Sequence, residues 1–242
     1  MNSALRNLTR DFREGLTLPA GAPRLTWYGP GGERVELSGK VLDNWIAKSA
    51  NLLQDELDGA PGGSIALALP GHWKTLILAV AAMRLGMTVH PVQDAVADSL
   101  SETDMTATAD AGLLGQADSI DTQLIAVALE ALALRWSTPL PSGVLDYAAE
   151  VRNHGDVFTP WDEPDAGTVL LNIAGEEHDD DGLRTFAADL PDGARTLVNA
   201  ESGLVAVLSA CLGAWFNGGS VVLVHAEEAI TDRLLSSERV TA

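Results

Sequence analysis

The sequence predicts an α/β protein made of two βαβ-based lobes, with largely parallel sheets flanked by helices. The main observation is a pattern that occurs twice: strand, turn, apolar helix, Gly and strand occupy residues 63–91 and again residues 196–224. The two segments overlay without a gap when Gly86 is matched to Gly219, although few residues are identical. We therefore interpret the repeat as a repeated order of secondary-structure elements rather than as a demonstrable sequence duplication.

The N-terminal part predicts a β-hairpin followed by an amphipathic helix. Two β-prone segments, RLTWY and ERVEL, flank a Gly/Pro turn at Gly29–Gly32. Ser38 is a residue type that caps helices, and apolar residues then recur close to helical periodicity up to Leu57. The Gly/Pro-rich stretch at 59–62 is expected to stop this helix.

The first strand–helix–strand unit follows this helix. SIALAL is a short apolar run typical of a strand buried on both faces. The segment HWKTLILAVAAMRLG is long enough for a helix that ends at Gly86, and MTVHPV is expected to form the second strand.

The middle of the chain, residues 93–165, is less regular. TQLIAVALEALAL begins like a strand and ends like a helix, and its periodicity leaves both open. PLPSGVLDYAAEV predicts a turn and a short helix, and FTPWDEPDAG a Pro-rich connector to the strand TVLLNI. This connector places the lobe boundary near Pro160–Pro164, so the predicted lobes are residues 1–162 and 163–242.

Composition narrows the classes of function. With 34 acidic and 15 basic residues the formal net charge is −19, and this field repels nucleic-acid phosphates and anionic membranes. No apolar run reaches the ~20 residues of a membrane span, and the N-terminus lacks the pattern of a signal peptide, so we expect a cytoplasmic location. The single cysteine, Cys211, lies in an apolar helix and predicts a buried core residue.

The stretch LALPGHWKT is a candidate phosphate-binding loop. The Walker pattern G-x-x-x-x-G-K-[ST] requires Gly directly before the Lys, but Trp73 precedes Lys74. A helix N-terminus with Gly71, His72 and Lys74 could still receive an anion through its amides. A strand-to-helix turn is the favoured interpretation.

The acidic stretch GEEHDDDG, residues 175–182, is a candidate calcium loop. Three acidic residues precede Gly182 at the alternate spacing that an EF-hand requires, but the twelfth position, which needs a bidentate Glu, is Ala188. We therefore favour a hydrated acidic loop and expect no metal, with a metal-binding regulatory role as the lesser alternative. The sequence also lacks the H-E-x-x-H, G-x-S-x-G and G-x-G-x-x-G motifs.

Three stretches carry a family resemblance: LTW…ELSGKVLDNWIAKSANLLQDEL, GGSIALALPGHWKTLILAVAAMRLGMTVHPV and GLVAVLSACLGAWFNGGSVVLV. Their order and glycines resemble the opening of AMP-binding, adenylate-forming enzymes such as acyl-CoA synthetases. The whole chain, including PLPSGVLDYAAEVRNHGD and SSERVTA, is also similar to a short actinobacterial family of unknown function related to those enzymes. The resemblance implies a fold like the first half of the large N-terminal domain of acyl-CoA synthetases.

The sequence departs from that family pattern at the phosphate loop, and the predicted function depends on this difference. A phosphate loop of the form T-S-G-T-T-G-x-P-K-G should follow the strand TVLLN, but the sequence has IAGEEHDDDG there, and its carboxylates repel phosphate groups. The adenine and ribose motifs and the C-terminal catalytic domain are expected to be missing as well. We therefore expect a degenerate, non-adenylating binding or interaction protein with no catalytic residues and no cofactor.

The ligand site is predicted between the lobes, at the carboxyl ends of the strands. The candidate residues follow the first strand of each unit: Gly71, His72, Trp73, Lys74, Asn199, Glu201 and Ser202. Apolar helix faces further predict a homodimer or a partner protein. The alternative function is a ligase-type enzyme that handles acyl-CoA or nucleotide with an altered site or with a partner chain.

Overall fold

The computed structural model describes residue 19, residues 21–93, residue 100 and residues 102–242, which contain eleven strands and seven α-helices. The strands are β1 (Pro23–Gly29), β2 (Glu33–Ser38), β3 (Ser64–Ala68), β4 (Thr88–Pro91), β5 (Met105–Thr108), β6 (Gln123–Ala126), β7 (Leu145–Asp146), β8 (Leu171–Ile173), β9 (Glu176–His178), β10 (Arg195–Asn199) and β11 (Ser220–Val224). The helices are α1 (Gly39–Leu57), α2 (Trp73–Leu85), α3 (Ala111–Leu114), α4 (Tyr147–Glu150), α5 (Asp180–Phe186), α6 (Leu204–Phe216) and α7 (Asp232–Glu238).

These strands form two sheets. The larger sheet has seven strands in the order β7-β6-β5-β3-β4-β8-β9, and only its β8–β9 pair is antiparallel. The smaller sheet has the order β10-β11-β1-β2, and only its β1–β2 hairpin is antiparallel. The predicted α/β class with largely parallel sheets is confirmed.

Each sheet takes strands from both sides of the predicted boundary at residue 162. The N-terminal hairpin joins the smaller sheet, where Leu25 of β1 pairs with Val221 of β11. Strands β8 and β9 join the larger sheet, where Leu171 pairs with Val89 of β4. A continuous apolar core includes side chains from both sheets and from helices α1, α2 and α6. Because strand partners are chosen by long-range packing, the local connector pattern carries no information about them.

Both predicted strand–helix–strand units are present, as β3-α2-β4 and β10-α6-β11. The overlay that matches Gly86 to Gly219 is wrong by one residue at the helix end. Gly86 has a left-handed φ of 82°, and its counterpart after α6 is Gly218, with φ 65°. Gly219 is required for another reason: a Cβ there would lie 2.3 Å from the carbonyl oxygen of Ala194.

The N-terminal prediction is confirmed in detail. Strands β1 and β2 form the hairpin, and a short turn at Pro30–Gly32 connects them. Ser38 caps α1, because its Oγ accepts a hydrogen bond from the backbone N–H of Val41 at 3.4 Å. Cys211 is fully buried, and burial raises the pKa of its thiol.

The segment TQLIAVALEALAL forms a short strand, and no helix follows it within the segment. Only Gln123–Ala126 is regular, as β6. The Nζ of Lys74 donates to the carbonyl oxygens of Ala128 and Glu130, at 2.5 and 2.7 Å, and so occupies acceptors that a helix would use. In the part of the chain that the structure describes, no helix has both the length and the apolar character to cross a bilayer.

Candidate functional site

The turns that follow β3 and β10 pack directly against each other. A Cβ at Gly71 would lie 2.9 Å from Cγ2 of Val207 and 3.0 Å from the carbonyl oxygen of Ala200, so the backbone of the first turn touches the second. The sequence prediction grouped these two turns at the carboxyl ends of the strands, and the structure places them there. A larger residue at position 71 would separate them.

The turn after β10 is shaped by its own polar side chains. The side chain of Asn199 accepts a hydrogen bond from the backbone N–H of Glu201 at 2.9 Å, and Ser202 Oγ donates to the carbonyl oxygen of Asn199. Gly203 then begins α6 with φ 87°, and no side chain caps this helix. Asn199 and Ser202 therefore shape the turn through these hydrogen bonds, and the side chains of both, like that of Glu201, are exposed to solvent.

The turn after β3 is held by buried polar groups. His72 Nδ1 accepts a hydrogen bond from the backbone N–H of Lys74 at 3.2 Å and so caps α2. Burial, reinforced by the charges of Lys74 and His225, lowers the pKa of His72 to about 3. Burial likewise lowers the pKa of Lys74 to about 8. Because its Nζ is bound to two carbonyl groups, Lys74 anchors the segment after β6.

Two cavities border the joined turns. The inner cavity, about 380 Å³, lies at the ends of β3, β4 and β5, and Gly71 is in its wall. The outer cavity, about 640 Å³, lies between the ends of β4 and β8 and the start of α6, and Ser202 is in its wall. The two cavities share wall residues, namely Val92, Gln93, Gly203 and Leu204.

The remaining predicted residues are placed differently. His72 lines a separate cavity, whereas Trp73 and Lys74 border a void of only about 30 Å³. Asn199 and Glu201 are in the walls of none of these cavities. The structure thus brings Gly71 and Ser202 to the paired cavities and directs His72, Trp73 and Lys74 away from the outer one.

The acidic stretch 175–182 is not the loop that the sequence predicts. Ala174 and Gly175, with φ of 51° and 94°, form a tight turn that joins β8 to β9, and Asp179 caps α5 by accepting a hydrogen bond from the N–H of Gly182 at 2.9 Å. The lack of apolar periodicity predicts a loop here, but these acidic residues form an edge strand and a helix cap. Among the described residues no His/Cys/Asp/Glu group is arranged to hold a metal ion.

This acidic hairpin borders the outer cavity. Ile173 and Ala174 are in the cavity wall, and Glu176 and Glu177, which follow after Gly175, are exposed. Val205 and Phe186 add apolar surface to the same wall. The wall of the outer cavity is thus largely apolar, and the exposed carboxylates belong to the same hairpin as Ile173 and Ala174.

Sequence reasoning missed several wall residues. Val92 and Gln93 come directly after β4, and Asp110 follows β5, so the rule that identified Gly71 could also have found them. Phe186 lies at the end of α5, a helix that the acidic pattern did not predict. No local signal marks Phe186 as a cavity residue.

Comparison with known proteins identifies one strong sequence relative. The chain is 36% identical over 239 residues to a "TIGR03089 family protein" of Mycobacterium tuberculosis, and the match covers 92% of this chain and 91% of that protein. No protein-family model matches the sequence.

Solved structures show the same fold at low sequence identity. An acyl-CoA synthetase of Brucella canis matches with a TM-score of 0.73 and 15% identity, over 95% of this chain and 46% of that one. The N-terminal domain of FACL13 from Mycobacterium tuberculosis matches with a TM-score of 0.68 and 15% identity, over 97% and 61% of the two chains. A fatty acyl CoA synthetase of Mycobacterium tuberculosis matches with a TM-score of 0.67 and 16% identity, over 99% and 49%. The chain therefore has the N-terminal fold of acyl-CoA synthetases. It spans about half the length of the Brucella canis and Mycobacterium tuberculosis synthetases, at 46% and 49% of those chains.

Proposed function

The chain belongs to the TIGR03089 family, and we propose that it is a small-molecule binding protein that holds an acyl-type ligand without adenylating it. The observation that carries this proposal is the outer cavity, whose wall is largely apolar and includes Ala174 in the turn that leads to the exposed Glu176 and Glu177. The resemblance of the fold to acyl-CoA synthetases supports an acyl group as the ligand class.

The cavity wall favours a ligand with an apolar body. Ile173, Leu204 and Val205 contribute branched aliphatic side chains, and Phe186 contributes an aromatic ring. Transfer of each CH₂ group of a ligand from water to such a wall is worth about 0.8 kcal/mol. At about 640 Å³ the outer cavity is in the usual size range of small-molecule sites.

The carboxylates oppose binding of a triphosphate. Glu176 and Glu177 occupy the position at which the family resemblance places the phosphate loop, two and three residues after the wall residue Ala174. Like charges at close range repel, by about 1 kcal/mol per pair at 4 Å in water and by more where water is excluded. The proposal therefore includes weak ATP binding and no transfer of AMP.

The start of α6 supplies the polar complement of the apolar wall. This helix begins at Gly203 without a side-chain cap, and Val205 and Ala206 of its first turn are exposed and in the cavity wall. Backbone N–H groups in the first turn of a helix suit a carbonyl or a single negative charge. We expect the polar end of the acyl ligand to lie there.

Isothermal titration calorimetry with octanoate, octanoyl-CoA, CoA, AMP and ATP tests the proposal. We expect saturable binding of the octanoyl ligands and little or none of ATP. Ala206→Phe, which fills the outer cavity, should weaken octanoyl binding at least tenfold. Ser236→Phe adds the same side chain at an exposed position of α7, outside the cavity walls, and should leave binding unchanged.

A pyrophosphate-exchange assay separates this proposal from a ligase-type activity. The protein with ATP, Mg²⁺ and octanoate should give no exchange of labelled pyrophosphate into ATP above the protein-free rate. Exchange that depends on both the protein and octanoate would overturn the non-adenylating proposal and support an enzyme that handles acyl groups with an altered site.

A homodimer or a partner protein also belongs to the proposal. It is supported by large apolar side chains that are exposed in the described structure, among them Leu132, Val157 and Trp161. Sedimentation velocity of the protein should show a dimer whose population falls in Trp161→Glu. If the protein is a monomer at all concentrations, the homodimer is excluded, and a partner protein is the occupant that we propose for this surface.

A further inference from the structure

A third cavity lies between the two sheets and is separate from the proposed acyl site. Its volume is about 490 Å³, and it shares only Pro70 and Gly71 with the inner cavity and no residue with the outer one. We call it the Trp27 cavity, after a buried residue of β1 in its wall. We propose that the Trp27 cavity binds a small organic cation, namely an amine or a quaternary ammonium with an apolar body.

The charges around the cavity favour a cation. Apart from two imidazoles, the ionisable wall residues are Glu33 and Glu130, and no Lys or Arg is in the wall. His72 stays neutral because its Nδ1 is an acceptor and burial, with nearby positive charge, lowers its pKa to about 3. His225, the other imidazole, accepts a hydrogen bond at Nδ1 from the N–H of Glu227 at 3.2 Å.

The buried ammonium of Lys74 is already bound within the protein. Lys74 donates to the carbonyl oxygens of Ala128 and Glu130, which both belong to residues of the cavity wall. Its side chain itself borders a different, very small void. Anionic ligands therefore gain no cationic side chain from the cavity wall.

The position of Glu33 is fixed by the protein. Its Oε1 accepts a hydrogen bond from the backbone N–H of Ala131 at 3.0 Å, which ties the end of the β1–β2 hairpin to the segment after β6. A carboxylate held in place by one oxygen is preorganised to meet a cation without a further loss of side-chain entropy. Glu33→Gln keeps an amide oxygen for Ala131 while removing the charge.

The aromatic wall is preorganised as well. The backbone N–H of Trp136 donates to Asp146 Oδ2 at 2.8 Å, and its indole N–H donates to Thr138 Oγ1 at 3.1 Å. Trp27 is nearly fully buried, and its ring contacts His72 edge-on at 4.6 Å between centroids. Indole rings are the aromatic groups that attract organic cations most strongly.

Three probes of similar size test the inference by calorimetry with the full chain: benzyltrimethylammonium, benzyl alcohol and benzoate. We expect the cation to bind at least tenfold more tightly than the alcohol and benzoate to bind least. Glu33→Gln should weaken binding of the cation about threefold to tenfold, and Trp136→Leu by at least as much. Glu36→Gln, on the same strand but outside the cavity wall, is the matched control and should leave binding unchanged.

The design distinguishes this site from the acyl site. Benzyltrimethylammonium should bind equally to Ala206→Phe, in which the outer cavity is filled. Urea unfolding of each variant verifies that it is folded. The inference is overturned if the folded wild-type chain shows no saturable binding of the cation, if benzyl alcohol or benzoate binds as tightly, or if Glu33→Gln and Trp136→Leu both bind the cation like the wild type.

Discussion

The two strand–helix–strand units have the same architecture but occupy different environments. All thirteen residues of α2 are buried, because this helix is packed on α1 and within the core shared by both sheets. Helix α6 is just as long and more apolar in sequence, yet Val205 and Ala206 in its first turn are exposed beside the outer cavity. A repeated pattern thus provides part of the core in one copy and an exposed edge beside a cavity in the other.

The largest expected difference between α2 and α6 is the loss of unfolding free energy when an apolar side chain is shortened. Ile77→Ala in α2 removes a fully buried side chain and should lower the free energy of unfolding by about 2–5 kcal/mol. Val205→Ala in α6 should lower it by less than about 1 kcal/mol, because that side chain is 36% exposed. Urea denaturation of both variants measures the difference, and equal losses would show that the two helices are buried alike.

Two glycines follow α6, and substitutions there test which of them is equivalent to Gly86 after α2. Gly219→Ala should destabilise the protein by about 3 kcal/mol, because its Cβ would lie 2.3 Å from a backbone carbonyl oxygen. Gly218→Ala should cost about 1 kcal/mol, the penalty for an L-residue in the left-handed region where no atom is in the way. The same unfolding assay should rank the two; the reverse order would restore Gly219 as the equivalent of Gly86.

Lys74, in the helix of the first unit, should make the stability of the protein depend on pH. Because the pKa of Lys74 is about 8 in the folded protein and 10.5 ordinarily, the unfolded chain binds more protons between these values. Stability should therefore rise with pH from about 8 to 10.5 in the wild type relative to Lys74→Met. The substitution should also cost about 1–3 kcal/mol at pH 7, since two buried carbonyl groups lose their donor. Parallel curves for the two proteins across this pH range would contradict this role.

The smallest expected effect concerns the attachment of α7 to the smaller sheet. Burial alone would raise the pKa of Glu238, but hydrogen bonds from Tyr28, Arg195 and Arg34 lower it to about 2. Glu238→Gln should cost about 1 kcal/mol at pH 7. The difference should vanish as the pH falls from 4.5 to 2, because the lowered pKa stabilises the fold only while the carboxyl is ionised. Thermal unfolding at pH 7, 4 and 2.5 measures it, and a constant difference would show that the charge of Glu238 is not involved.

The local elements of this fold could be predicted because their signals are local. The hairpin turn, the Ser38 cap and the apolar helix before Gly86 each depend on residues within a few positions of one another. The sequence pattern grouped the turns after β3 and β10 as two sides of one site, and their backbones touch, although the two strands belong to different sheets. Resemblance to a known family supplied the larger fold.

What the sequence could not provide depends on distant contacts. Nothing near Lys74 indicates that its ammonium binds carbonyl groups more than fifty residues away, and this contact decides that the segment after β6 is not helical. The pairing of β1 with β11 and the cavity around Trp27 arise only when both sheets are assembled. Glu33 and Trp136 were therefore absent from the predicted site.

A ¹H–¹⁵N NMR titration tests the central claim most directly, because it reports where each ligand binds. Octanoyl-CoA should shift the amide signals of residues 202–206 and of Ile173 and Ala174, which surround the outer cavity. ATP with Mg²⁺ at the same concentration should leave those signals in place. Saturable shifts of residues 174–178 with ATP would contradict the account, because they would show that the acidic hairpin accepts a triphosphate.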